Sequence, residues 1–308
     1  MATILRQVAL VSETPLVTFP DLAIVSAAIQ KQVTRDLAPI WEVEATVDAF
    51  TQLDDIPPGY WPVIIVTTDP NADDSPTGGI HLDRTNQPFA VVEYMDHWSL
   101  VASHETLEML VDPFGNRLLA GDSPMQGQGR VEFLVEVCDP SEASEFSYTS
   151  NGIVVSDFYT PHYFDPVRAP GVRYSFTDFI KTPRQVLKGG YLSWHEPVSD
   201  IWWQQTFFSG SDSKIDALGK LTEIGASLRA QIDKKTQKRS LKAMMRGKAK
   251  LSSAVREYSQ KIVPSSKKKA MVWREHIEQL RSLSSDGDDP GPQPATKTRR
   301  RKGTAKDG

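Results

Sequence analysis

The stretch Ser103-His104-Glu105-Thr106-Leu107-Glu108-Met109-Leu110-Val111-Asp112-Pro113 constrains this chain more than any other. It follows an apolar run, Phe89 to Tyr94, that reads as a strand, and it stops at a proline. Asp96 or Ser99 can cap its start, and Asp112 is the last residue that Pro113 allows in a helix. At 100° per residue Val101, His104, Glu105, Glu108 and Asp112 fall on one side, with Ala102, Leu107, Met109 and Leu110 around the rest. His104 and Glu108 are four apart, so their side chains meet over one turn, with Glu105 beside them.

Two ligands on one helix face and a neighbouring glutamate as general base is the arrangement of zinc-peptidase helices. Here the position of the usual second histidine holds Glu108, giving His-Glu-x-x-Glu. A carboxylate ligates zinc and also suits harder ions such as manganese, magnesium or calcium. The competing reading is a solvated acidic stripe with one His-Glu pair. Asp112 lies about 12 Å along the helix from His104, too far to share an ion with bonds near 2 Å. A third ligand must therefore come from another segment. The candidates are Glu136 and Asp139 in Phe133-Leu-Val-Glu-Val-Cys-Asp-Pro140, and His162 in Tyr159-Thr-Pro-His-Tyr-Phe-Asp165.

His104-Glu105-x-x-Glu108, a following Asp-Pro, and Glu136-x-x-Asp139 resemble the plant Exordium (phosphate-induced) proteins and their bacterial relatives. Those carry His-Glu-Leu-Ala-Glu followed by Glu-Ile-Gly-Asp. More distantly, the order of elements resembles zincin metallopeptidases whose third ligand is a downstream Glu. The resemblance spans residues 20–165. It implies an α+β fold with a zincin-like mixed sheet over an active-site helix, and a divalent metal ion, zinc by preference, on His104, Glu108 and Glu136. Asp139 is expected to orient a ligand or replace one. Glu105 is expected as general base, and Tyr159 or His162 as a donor to the oxyanion. The expected activity is hydrolysis of a peptide or protein substrate, with a substrate strand adding to the edge of the last strand before the helix. The alternative is a metal-stabilised scaffold without catalysis.

At 308 residues and 39% hydrophobic, the chain can bury a large core and carry an appendage. Its single cysteine, Cys138, excludes an internal disulfide and reads as a small buried residue. No apolar run reaches 18 residues, and residues 1–10 lack the basic and apolar regions of a signal peptide, so a cytoplasmic protein without a membrane span is expected. The overall charge of -4 hides an asymmetry. Residues 211–308 carry 24 Lys and Arg against 11 Asp and Glu, net +13, which leaves 1–210 at -17. Three parts follow: a metal-binding domain over 1–208, a basic helical arm over 209–283, and a disordered basic tail over 284–308. The arm reads as folding back on the acidic domain, as docking a protein or nucleic-acid partner, or as a membrane-surface helix, the last disfavoured by an apolar stripe without aromatics before Trp273.

Along the chain, 4–11 and 44–50 read as strands. Asp21 opens a helix that closes before Pro39, and Trp61 to Thr68 is the strongest buried strand. Residues 116–130 read as a long glycine-bearing loop. Ser150-Asn151-Gly152 marks a hairpin, and the aromatics between Gly171 and Phe208 read as core and sheet packing.

Overall fold

The computed structural model describes residues 5–67, 79–84 and 87–244. They form a mixed α/β molecule with two five-stranded sheets. The first sheet contains β1 (Arg6–Ser12), β2 (Ala45–Ala49), β3 (Trp61–Val66), β4 (Gly79–Arg84) and β5 (Gln87–Glu93), in the order β2-β1-β3-β5-β4. All pairs are parallel except β4 with β5. Alternation explains the layering. Val8, Leu10, Val63, Ile65, Ala90 and Val92 point to the main core, while Val11, Ile64, Val66 and Val91 form a smaller cluster on the other face. The edge beyond β5 is occupied by β4, so the strand before the helix is interior and the expected docking edge shifts to β4.

The helices α1 (Phe19–Gln32) and α3 (Trp98–Val111) pack on the main-core face of this sheet. Thr18 caps α1, and Asp21 stands at the third helical position, closing a capping box with it instead of opening the helix. The helix also does not close before Pro39. A π-helical turn, Val33–Leu37, re-phases the chain into α2 (Ala38–Trp41), where Pro39 sits in the first turn and needs no donor. In α3, His97 occupies the N-cap position without a side-chain cap, and neither Asp96 nor Ser99 takes it. The Ser99 hydroxyl donates to the Val154 carbonyl instead. The helix ends at Asp112, as Pro113 requires.

The second sheet is antiparallel: β6 (Leu118–Asp122), β7 (Arg130–Leu134), β10 (Tyr191–Glu196), β11 (Ile201–Thr206) and β12 (Lys214–Gly219), in the order β12-β11-β10-β7-β6. The expected loop at 116–130 is thus half strand. Leu118-Leu119-Ala120 pairs with β7, and glycines with positive φ at 127 and 129 shape the turn between them. A separate hairpin joins β8 (Tyr148–Ser150) and β9 (Ile153–Val155) through Asn151 and Gly152, both at positive φ, as the Asn-Gly pair predicts.

The expected break at residue 208 does not fall there. β12 completes the second sheet, and α4 (Leu228–Met244) packs on it through Ile232, which clusters with Leu134 and Trp202. The acidic domain and the start of the basic arm are one folded unit, because an edge strand and a buried isoleucine stitch them together. The last expected helix, 267–283, and the tail, 284–308, lie outside the described residues.

Glu13 follows β1 and is 8% exposed, and neither carboxylate oxygen has a hydrogen-bond partner among the described residues. Burial, with Asp54 adding to it, pushes its pKa up to about 8. Unfolded, the group titrates at its ordinary value near pH 4. Across that window the folded chain therefore holds a proton that the unfolded chain has released, and stability falls as pH rises. Glu13→Gln is expected to unfold with the native chain's midpoint at pH 4 and at a higher temperature than the native chain at pH 9. Calorimetry at the two pH values checks this, and equal midpoints at pH 9 would contradict it.

Candidate functional site

Every residue of α3 is buried, so the carboxylates on its polar face are not a solvated stripe: Glu105 and Glu108 are 2% and 0% exposed. The helix is held in register by a buried relay. The Ser103 hydroxyl donates to Gln32 Oε1 and accepts from the Ser156 amide, while the Gln32 amide donates to the Ser156 carbonyl. This ties α3 to α1 and to the segment after β9.

The second segment, Val135 to Ser141, leaves β7 and runs across the polar face of α3. Its Cys138 amide donates to Glu108 Oε1 at 3.2 Å, which fixes the carboxylate and turns Oε2 toward His104. His104 Nε2 lies 3.4 Å from Glu108 Oε2 and 3.2 Å from Asp139 Oδ1. A tetrahedral ion with bonds of about 2.1 Å holds its ligands about 3.4 Å apart, so both carboxylate oxygens stand at ligand spacing from the imidazole nitrogen. The Cys138 sulfur also belongs here, since ligand atoms of His104, Glu108 and Cys138 all lie within 4.8 Å of one another. Gly190 permits the Asp139 turn: a Cβ there would come within 2.5 Å of the carbonyls of both Asp139 and Pro140.

Five carboxylates, those of Glu105, Glu108, Glu136, Asp139 and Glu142, are at least nine-tenths buried in this region. Burial raises the pKa of Glu136, Asp139 and Glu142, and each of the three is raised further by a neighbouring carboxylate. Burial works against charge on His104, but Glu108, Cys138 and Asp139 together outweigh it and hold the imidazole well above its ordinary value. Among the described residues, His104 Nδ1 and Asp139 Oδ2 are buried without a hydrogen-bond partner. A crowd of buried carboxyl groups beside a buried histidine, with ligand atoms of His104, Glu108 and Cys138 within 4.8 Å of one another, fits a divalent cation, whose charge would favour the ionised carboxylates.

One cation is already there, and its residue carries no motif. Arg229, in the first turn of α4, is 3% exposed. Its Nη1 contacts Glu108 Oε2, Nη2 lies 3.6 Å from Glu105 Oε2, and Nε lies 3.4 Å from both Glu136 Oε1 and Asp233 Oδ2. Burial disfavours its charge, yet Glu108, Glu136, Glu105 and Asp233 together hold the guanidinium firmly protonated. Glu136, expected as the third ligand, thus faces the guanidinium, and it is Asp139 that faces His104.

The other expected residues divide. Tyr159 is fully buried and stacks on Tyr163 with ring centroids 4.4 Å apart, and its carbonyl accepts from the Trp41 indole. Burial, Tyr163 and the nearby Glu108, Glu136 and Asp139 raise the pKa of its hydroxyl, so it stands as a neutral donor beside the cluster. The structure does not bring His162 into the cluster. It is 58% exposed on a surface turn, with Nδ1 held by Asp165 at 2.9 Å. Asp112 accepts from the Arg117 amide and supports the turn after α3. Comparison with protein-family models, with curated proteins and with solved structures finds no match to the chain.

Proposed function

We propose that this chain is a metal-dependent hydrolase acting on peptide bonds, with a zincin-like site built on α3. The observation that carries the reading is the buried convergence of ligand atoms of His104, Glu108 and Cys138 within 4.8 Å of one another, with Asp139 Oδ1 3.2 Å from the same imidazole nitrogen and further carboxyl groups buried around them. His104, Glu108 and Asp139 would hold the ion, with Cys138 as a further donor and zinc as the ion that suits this mixed nitrogen and oxygen set. When bound, the ion lowers the pKa of a water towards neutrality and polarises the scissile carbonyl.

The protein's own groups supply the rest. Glu105 stands one residue from His104 on the same helix and, as general base, takes the proton of the attacking water and returns it to the leaving amine. The Tyr159 hydroxyl donates to the developing oxyanion. A peptide adds as a strand to the edge of β4, which packs on α3. No helix of the described residues is long and apolar enough to cross a membrane.

Arg229 favours a second reading, in which its guanidinium is the permanent counter-ion of a scaffold and no metal binds. Zinc titration of the chain, followed by calorimetry, separates the two. The hydrolase reading expects a single saturable site that His104→Ala abolishes. It also expects Asp139→Asn to weaken binding more than Glu136→Gln, and Asp112→Ala to leave it unchanged. Heats that match between the native chain and His104→Ala would favour the scaffold.

A further inference from the structure

We infer that α4 is an autoinhibitory plug, and that Arg229 closes the hydrolytic site by occupying it with a built-in cation. The inference rests on the reading of the site as a metal centre and adds how that centre is regulated. The guanidinium does not merely neighbour the site. It contacts Glu108, one of the three ligand side chains, through the oxygen that faces His104, and Glu105, the base. An arginine that pairs with a ligand and lies 3.6 Å from the base would compete there with the attacking water. A divalent ion on Glu108 and a guanidinium on Glu108 compete for one carboxylate oxygen, and like charges at that distance repel strongly in a buried setting.

The rest of α4 is built to deliver this residue. The turn after α3 receives it: the Gly115 carbonyl accepts from the Arg229 amide, and Asn116 Oδ1 accepts from the Leu228 amide. A Cβ on Gly115 would come within 2.9 Å of the Arg229 Cβ, so the close approach requires glycine. Ser227 accepts from the Ala230 amide and finishes the first turn. One turn further along, Asp233 braces the guanidinium from its own helix. Among the described side chains of α4, Ile232 is the fully buried apolar residue, set against Leu134 and Trp202 with Leu228 partly buried beside it. The contacts of Arg229 with Glu105, Glu108, Glu136 and Asp233 seat the helix as well, and charge is what an incoming cation would compete for.

The measurement is zinc binding to the EDTA-stripped full chain by calorimetry, on the native protein, Arg229→Ala and Ile232→Ala, with thermal midpoints in EDTA and in zinc. If the plug is open in about 1% of native molecules, the apparent Kd lies about 100-fold above that of the open site. Arg229→Ala is expected to recover most of that factor. Its midpoint should be lower than native in EDTA and should rise on zinc by more than the native midpoint does. Ile232→Ala leaves every charge in place and loosens only the docking, so it should tighten zinc binding by a smaller factor. Equal zinc affinity in all three proteins would overturn the plug and leave the metal site standing. Absence of zinc binding in all three would overturn the metal site itself. If Arg229→Ala does not fold without metal, Ile232→Ala decides, and an unchanged Kd there overturns the plug.

Discussion

Glu105→Gln, placed in an Arg229→Ala background, is expected to retain the fold and the bound ion and to lose hydrolysis by about 10²–10⁴-fold. The amide is nearly isosteric with the carboxylate and Glu105 is not one of the three ligand side chains, so neither packing nor coordination changes. What changes is basicity, because an amide cannot accept the proton of the attacking water. The Arg229→Ala background matters, since in the native chain the guanidinium lies 3.6 Å from the Glu105 carboxylate. Cleavage of a peptide library, zinc content and thermal midpoint are to be measured on the same preparations. Full cleavage by the double variant would remove Glu105 from the mechanism, whatever ion is bound.

Arg229→Ala in the absence of metal is expected to cost about 3–5 kcal/mol of stability. The guanidinium is a buried cation that contacts Glu105, Glu108, Glu136 and Asp233. Its removal leaves those carboxylates in a buried setting with their repulsion uncompensated. Denaturant unfolding in EDTA reads the loss, and Asp233→Asn serves as a control because it removes negative charge and leaves the guanidinium in place. A loss below about 1 kcal/mol would mean that water reaches the cluster and that the contacts are worth no more than surface ion pairs.

Part of this architecture was legible in the sequence, for physical reasons. The strands β1, β3 and β5 are continuous apolar runs because their sheet is covered on both faces, and such runs read clearly. The helix α3 announced itself by its proline stop and by His104, Glu105 and Glu108 at helical spacing, and the Asn151-Gly152 turn by its need for positive φ. β6 was hidden because Leu118 to Asp122 offers only three apolar residues in a row, and its pairing with β7 is a property of the fold. The helix through Pro39 was misread because a π-turn re-phases the chain, which single-residue propensities do not encode.

The site was legible only where one helix carries it. Glu136 and Asp139 were both in view, but their division of labour was not. Which of them meets His104 depends on the path of Val135 to Ser141 across α3, and on the bare Gly190 that lets the Asp139 turn approach. Exposure of His162 is likewise set by tertiary packing, since Tyr163 and Phe164 beside it are buried. Arg229 was invisible because it lies in a basic stretch whose composition suggests solvated charge. The signal that was present is local: Leu228 and Ile232 bracket it at helical spacing and Asp233 follows at four, so one arginine of the arm sits on the apolar stripe.

The central claim is that a divalent cation belongs between His104, Glu108 and Asp139. Its most direct test is the zinc content of purified Arg229→Ala protein after dialysis against zinc and then against metal-free buffer, beside the same protein carrying His104→Ala. Stoichiometric zinc in the first and none in the second is the expected result. Zinc absent from both, or retained equally by both, would contradict the account.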